Sequence, residues 1–400
     1  MILHRAAWVL PIAAPPIHGG WVLTSAGRVV ACGRDSHEVG REPVATVDHG
    51  DAAILPGLVN AHTHLEVSWM HNQVPQSASM PAWATSLMAL RRTAGSDPVA
   101  PIMAAVRDIR ASGTSLVGDV TNTLAAYDVL ADSKLGGAIF RELLGFNIDN
   151  PQQAIAAAHV ELDALLPIAR LRPSIVPHAP YSVSPALFRA IARAAGDKPV
   201  SVHVGESEDE IQFLLAGTGA WRDLLEQLGL WNGAWQPPNC GPAEYLDRLG
   251  LVGPRLLAVH CTQLDDHDIA RLARGGSTIV ACPRSNRWTG AGIPPIERFY
   301  ESGARIAIGT DSLASVDDLN MFTELMEIRR LAPSVPASRL LASATVDGAA
   351  ALGFAEEFGT IEPGKRAELI AVRVPAGIDD VEEYLLSGVQ PDAITWLDTE

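Results

Sequence analysis

The stretch Pro56-Gly57-Leu58-Val59-Asn60-Ala61-His62-Thr63-His64-Leu65-Glu66 is an apolar run that ends in two histidines spaced i, i+2. On a β-strand alternate side chains share a face, so His62 and His64 are expected to project together from the strand's C-terminal end. Two imidazoles on one side suit a divalent metal, but the pair alone fits two partly buried histidines equally well. The pattern downstream decides between the two.

From residue 50 onward, short apolar runs alternate with stretches of helical spacing. The runs are 53–61, 115–120, 138–144, 173–177, 200–204, 256–260, 278–282 and 305–309, with helical segments such as 185–195, 209–215, 265–273 and 295–302 between them. Eight strands too apolar for a half-exposed sheet, each followed by a helix, predict an α/β fold: a parallel (β/α)₈ barrel of the TIM type. Sites in such barrels lie at the C-terminal strand ends. Those ends here carry His62 and His64, then Asp119, Glu142, His178, His203 with Glu206, His260, Ser285 with Asn286, and Asp311. Five of the twelve histidines fall there, and the others (His4, His18, His37, His49, His71, His159, His267) read as loop or polar-helix residues. One such histidine is ordinarily structural; five converging on one mouth predict a metal site.

Composition bounds the function. With 30 Lys and Arg against 46 Asp and Glu, the formal charge of −16 argues against a nucleic-acid surface and for a small-molecule substrate. No apolar run approaches the ~20 residues needed to span a bilayer, so no membrane partner is expected. Residues 5–14 loosely imitate a secretory signal, but read better as a strand broken by Pro11, then a turn at Gly19-Gly20 and a hairpin around Ala26-Gly27. Cys32, Cys240, Cys261 and Cys282 are too widely spaced for a disulfide framework or a cysteine zinc knuckle, which fits a reducing cytoplasm. Nothing in the sequence opposes a homo-oligomer.

The motif 56–64, the His203-x-x-Glu206 unit, His260, Gly309-Thr310-Asp311-Ser312-Leu313-Ala314-Ser315 and the tail 359–372 together resemble the amidohydrolase superfamily over nearly the whole chain. Glu368 departs from the family's usual aspartate, far from the site. The resemblance implies a barrel over 57–358 and a small β-sandwich domain built from both chain ends, 1–56 and 359–400. Two-metal members use a carbamylated lysine on the fourth strand. The only lysines here are Lys134, Lys198 and Lys365, none at that strand's end, and His178 stands in that region instead. The chain is therefore similar to the one-metal deaminase and halohydrolase branch, which implies His62, His64, His203 and Asp311 as ligands of one divalent ion. Three nitrogens and a carboxylate oxygen suit zinc, and ferrous iron is also accepted.

In that branch the ion lowers the pKa of a water towards ~7 for attack on an electron-poor ring carbon. Glu206 would protonate a ring nitrogen and then pass a proton to the departing amine, rather than sit solvated at a helix start beside Glu208, Asp209 and Glu210. His260 would hydrogen-bond the water and Asp311 would accept its proton. A dead scaffold would be expected to lose some of these groups, and every position is filled. Finer features, including His178-Ala179-Pro180-Tyr181 and Cys282-Pro283-Arg284-Ser285-Asn286, resemble the aminodeoxyfutalosine deaminases of menaquinone synthesis. Deaminases of S-adenosylhomocysteine, methylthioadenosine or adenosine share the catalytic set, and cytosine or guanine aminohydrolases and chlorohydrolases remain chemical alternatives. Glu66 and His178 are the expected substrate-binding residues; Trp69, Trp83 and Trp288 read as candidate walls or, at least as well, as core packing, and Arg141 and Arg284 as partners of a substrate carboxylate or, equally, of surface salt bridges.

Overall fold

Short runs of Val, Ile, Leu and Ala flanked by helix-forming stretches become the strands Leu58–Thr63, Thr114–Thr121, Gly136–Leu143, Leu171–Pro177, Val200–Val204, Leu256–His260, Thr278–Ala281 and Arg305–Ile308. The computed structural model describes residues 1–34, 45–93 and 98–397, so His37 lies outside it. The first four of these strands and the last four each form a parallel sheet in chain order. Backbone bonds also join the sheet edges: the His203 N–H donates to His178 O at 2.9 Å, and the Asp311 N–H to His62 O at 3.0 Å. Almost every strand residue is buried, as expected where helices cover a parallel sheet.

The helices begin and end where local chemistry allows. Ser184 accepts from the Leu187 N–H and Pro185 opens the helix Pro185–Ala194, which buries Leu187, Phe188, Ala190 and Ile191. Asp265 caps Asp266–Gly275, and Gly276 ends it at a φ of 74°. Each such side-chain cap contributes about 1 kcal/mol.

Both chain ends meet in one mixed sheet, ordered Ile394–Trp396, Leu369–Arg373, Ala52–Pro56, Trp8–Val9, Ile17–His18. The strands Arg28–Gly33, Trp21–Ser25, Ile2–Arg5 and Ala45–Asp48 form another, with the expected hairpin between Trp21–Ser25 and Arg28–Gly33. Two expectations are corrected. The apolar run 53–61 is two strands, not one: Ala52–Pro56 pairs antiparallel with Leu369–Arg373, and only Leu58–Thr63 joins the parallel set. Gly57 makes the switch, donating to Glu368 O at 2.8 Å where a Cβ would lie 2.8 Å from both Ser115 and the Trp396 ring. His4 and His18 are no loop residues: His18 pairs with Trp8 in the strand Ile17–His18, and His4 is fully buried in Ile2–Arg5, with Nδ1 at 3.2 Å from His49 Nε2. Among the described residues no helix is long and apolar enough to cross a membrane.

Candidate active site

His62 sits inside its strand with no exposed surface, and both its ring nitrogens lack a hydrogen-bond partner. Leaving such groups empty costs about 1–3 kcal/mol each, so the geometry asks for something to fill them. His62, His64 and Asp311 bring donor atoms within 4.8 Å of one another, as do His62, His203 and His260. His64 Nε2 lies 3.3 Å from His203 Nε2 and 3.7 Å from Asp311 Oδ1, and His62 Nε2 is 3.9 Å from that same oxygen. Burial, reinforced by the neighbouring imidazoles, pushes the pKa of His62 and of His203 well below the usual value, so both are neutral donors. The two unpartnered nitrogens of His62, with His64, His203 and a carboxylate at these separations, fit one divalent ion.

Local structure holds each donor. Asp119 Oδ1 accepts from the Leu65 N–H at 2.9 Å, fixing the turn that follows His64, and burial pushes this carboxyl up to about 8. Thr63 Oγ1 donates to Asp311 O, and Ser285 Oγ to Asp311 Oδ2 at 2.6 Å. Asp311 adopts a φ of 62°, outside the range most side chains favour. Gly309 lets the last strand pass close to the first, since a Cβ there would lie 2.7 Å from His62 Cβ. His203 Nδ1 is turned to His178 O at 3.1 Å, which leaves Nε2 toward the cluster.

Glu206 is 2% exposed, which rules out the solvated carboxylate at a helix start. Its Oε1 is 3.4 Å from His260 Nε2, and Oε2 has no partner. Burial, then Asp311 and Glu210, hold its pKa well above the ordinary carboxylate range. His260 is lowered to about 4 by burial, and Asn286 Nδ2 lies 3.0 Å from its Nδ1. With Asn286 as donor, the proton of the neutral ring sits on Nε2, facing Glu206. Glu210 holds the Glu206 turn: its two oxygens accept from the Gly205 N–H at 2.9 Å and the Glu206 N–H at 3.1 Å. Glu210→Ala is therefore expected to lower kcat by roughly tenfold or more while leaving metal content unchanged, as steady-state kinetics beside metal analysis would read.

These groups open on a cavity of about 430 Å³ lined by His64, Glu66, Glu142, His178, His203, Glu206, His260 and Asp311. His178 donates or accepts through Nδ1 at 2.5 Å from Ser182 Oγ, and burial lowers its pKa to about 4. Glu66 Oε2 accepts from Thr121 Oγ1, the Asn122 and Thr123 N–H groups and Thr123 Oγ1, while Oε1 takes Arg91 at 3.0 Å. Burial alone would raise this carboxyl, but the bonds from Thr123 and Thr121 and the Arg91 charge hold it below the usual value. The outer wall is apolar, with Trp83, Leu87 and Met88 on one side and Trp221, Leu224 and Leu228 on another.

Both arginines take the salt-bridge alternative, and two of the three tryptophans take the core-packing one. Arg284 is tied to Glu324 and Asp318 at 3.0 Å each, Arg141 to Glu161 at 2.6 Å, and neither lines the cavity. Of the three tryptophans only Trp83 does; Trp288 donates to Val74 O and packs with Trp69 in a satellite core. Arg91 is the cavity's one lining cation among the described residues, and neither it nor Asn122 is marked by any local sequence pattern. Its place in the last turn of the helix Met80–Thr93 matches that of any surface arginine on a helix end.

Side chains able to hold a metal, gathered at the C-terminal ends of parallel strands, suit a metal-dependent enzyme. The profile of the amidohydrolase family matches residues 53–391, and the chain belongs to that family. An aminodeoxyfutalosine deaminase of Deinococcus radiodurans is 33% identical over 347 residues, covering 82% of this chain and 80% of its own. A 5-methylthioadenosine/S-adenosylhomocysteine deaminase of Desulforudis audaxviator is 28% identical over 385 residues, covering 93% and 85%. Among solved structures, an adenosine deaminase of Xanthomonas campestris with bound zinc superposes with a TM-score of 0.84 at 29% identity, over 98% of this chain and 90% of that one.

Proposed function

We propose that this protein is a metal-dependent deaminase that replaces the 6-amino group of an adenosine-like nucleoside by oxygen and releases ammonia, with aminodeoxyfutalosine of menaquinone biosynthesis as its first substrate. The observation that carries the reading is Glu206: buried, against His260, with an unpartnered oxygen at the cavity. His62, His64, His203 and Asp311 would hold one divalent ion, zinc in preference to iron. Bound there, it supplies Lewis acidity that lowers the pKa of a water. Glu206, protonated, donates to the ring nitrogen next to the reacting carbon. It then takes a proton from the added hydroxyl as the carbonyl forms and passes it to the amine, which leaves as ammonia; the proton held by Asp311 then restores Glu206. His260 holds the water through Nε2–H, and Asp311, fixed by Ser285, accepts its proton. His178 and Glu66 bind the substrate. This reading takes the fold as a closed (β/α)₈ barrel over 57–358 beside a β-sandwich domain built from both chain ends, 1–56 and 359–400; the backbone bonds His203–His178 and Asp311–His62 between the sheet edges support closure. Four free cysteines are in keeping with a reducing cytoplasm.

The second reading is methylthioadenosine or S-adenosylhomocysteine deamination. An apolar outer wall, with its one cation already tied to Glu66, favours an uncharged methylthio tail within that reading. Ammonia release over a panel of 6-aminopurine nucleosides tests both. A 5′-substituted nucleoside is expected to exceed free adenine by roughly 10²-fold or more in kcat/KM, because remote contacts position the ring. Free cytosine or guanine as the better substrate, or chloride released faster than ammonia, would sink the assignment.

A further inference from the structure

Glu142, at the C-terminal end of Gly136–Leu143, has no part in the mechanism above, yet it is a carboxylate only 3% exposed that lines the cavity. Its backbone is pinned: the carbonyl accepts from Arg141 Nη1 at 2.6 Å. Oε2 accepts from Asn122 Nδ2 at 2.9 Å, and Oε1 has no hydrogen-bond partner. His203 Nδ1 lies 3.6 Å from Oε1, but that N–H is directed to His178 O at 3.1 Å. A buried carboxylate oxygen left empty beside a substrate cavity is costly unless a ligand donates to it.

Glu66 gives the reason such a ligand would need it. Its Oε2 already receives four donors, more than its lone pairs accommodate, and Oε1 receives Arg91. Glu66 therefore has room for one further donor, whereas the vicinal diol of a ribose brings two. Asn122 stands between the carboxylates, its N–H on Glu66 Oε2 and its Nδ2 on Glu142 Oε2, so the two acids lie on either side of one residue. We propose that Glu142 is a substrate-binding residue that accepts, through Oε1, one hydroxyl of the ribose diol while Glu66 Oε1 accepts the other. This rests on the nucleoside reading above and extends it: the pocket reads the sugar with two acids and selects ribonucleosides over their deoxy counterparts.

The test compares kcat/KM for one 5′-substituted adenosine with that for its 2′-deoxy and 3′-deoxy analogues, in wild type and in Glu142→Gln, with metal content measured in both. The glutamine amide oxygen would take the Asn122 donor, turning an N–H toward the cavity where an acceptor stood. Wild type is expected to lose about 10²-fold or more with each analogue, as sites built to bind a hydroxyl do. In Glu142→Gln the parent nucleoside should fall by at least about tenfold while one analogue is nearly unaffected, so that discrimination at a single hydroxyl collapses. Glu142→Asp, which withdraws the oxygen by one methylene, should give the same pattern and serves if the glutamine variant does not fold. Equal loss on all three substrates, or loss of metal, would mean that Glu142 acts through His203 and overturns the proposal; so would unchanged discrimination. Wild type that releases ammonia from none of the nucleosides would instead overturn the deaminase reading, and this proposal with it.

Discussion

Replacing Glu206 by glutamine is expected to lower kcat by about 10²–10⁴-fold while the protein keeps its metal and still binds an inosine-like product. Its Oε1 lies 3.4 Å from the Nε2 of His260, which is not among the proposed ligands. Glutamine keeps the size and the hydrogen-bonding shape but cannot gain and lose a proton at neutral pH. Loss should fall on turnover rather than on affinity, because the proton moves only as the ring is attacked and the amine departs. The backbone of the turn is held by Glu210 and not by the Glu206 side chain, so the substitution leaves the turn intact. Single-turnover rates, metal analysis and product binding on the same preparation separate the effects. Near-normal turnover would remove Glu206 from the mechanism.

Removing the metal should abolish activity and lower the melting temperature. His62 has two buried, unpartnered nitrogens, and His64 and His203 face each other across 3.3 Å, an arrangement that ligation would satisfy. An ion at a thousand times its dissociation constant stabilises the folded state by about 4 kcal/mol, so chelation should produce a large, reversible drop in Tm. His203→Ala should lose most of the metal and, with it, the metal-dependent part of that stability. Analysis of active wild-type protein should return close to one equivalent of zinc or iron per chain. Two stoichiometric ions, or active protein holding none, would overturn the one-metal reading.

How much was legible follows from where information lies in a strand. His62, His64, His203, His260 and Asp311 could be found because an apolar run followed by a polar residue marks a strand's C-terminal end, whichever fold carries it. The boundary at Gly57 could not: both strands around it are apolar, and what changes is the bonding partner, Glu368 for Gly57 N–H and Gly113 for Leu58 N–H. His4 was misplaced for a related reason, since a histidine flanked by Leu3 and Arg5 gives no sign that Ile2–Arg5 pairs on both edges. For Arg141 and Arg284 charge alone leaves a substrate carboxylate and a salt bridge equally open, and acids remote in sequence, Glu161, Glu324 and Asp318, decide for the salt bridge. Arg91 and Asn122 enter the cavity through packing of Met80–Thr93 and the loop after Thr114–Thr121, which no local pattern encodes.

The seam at which Asp311 N–H meets His62 O sets an order of assembly. The proposed ligands come from the first and the fifth of the parallel strands and from the residues that follow the first and the last, so a ribosome-bound chain that has released only its first half presents His62 and His64 without His203 or Asp311. Two histidines on a mobile segment hold an ion weakly and without selectivity, whereas the full set exists only once Arg305–Ile308 has docked. Metal capture would therefore report the completion of folding: a chain truncated before residue 311 should take up little ion, and chains stalled late in synthesis should remain unmetallated.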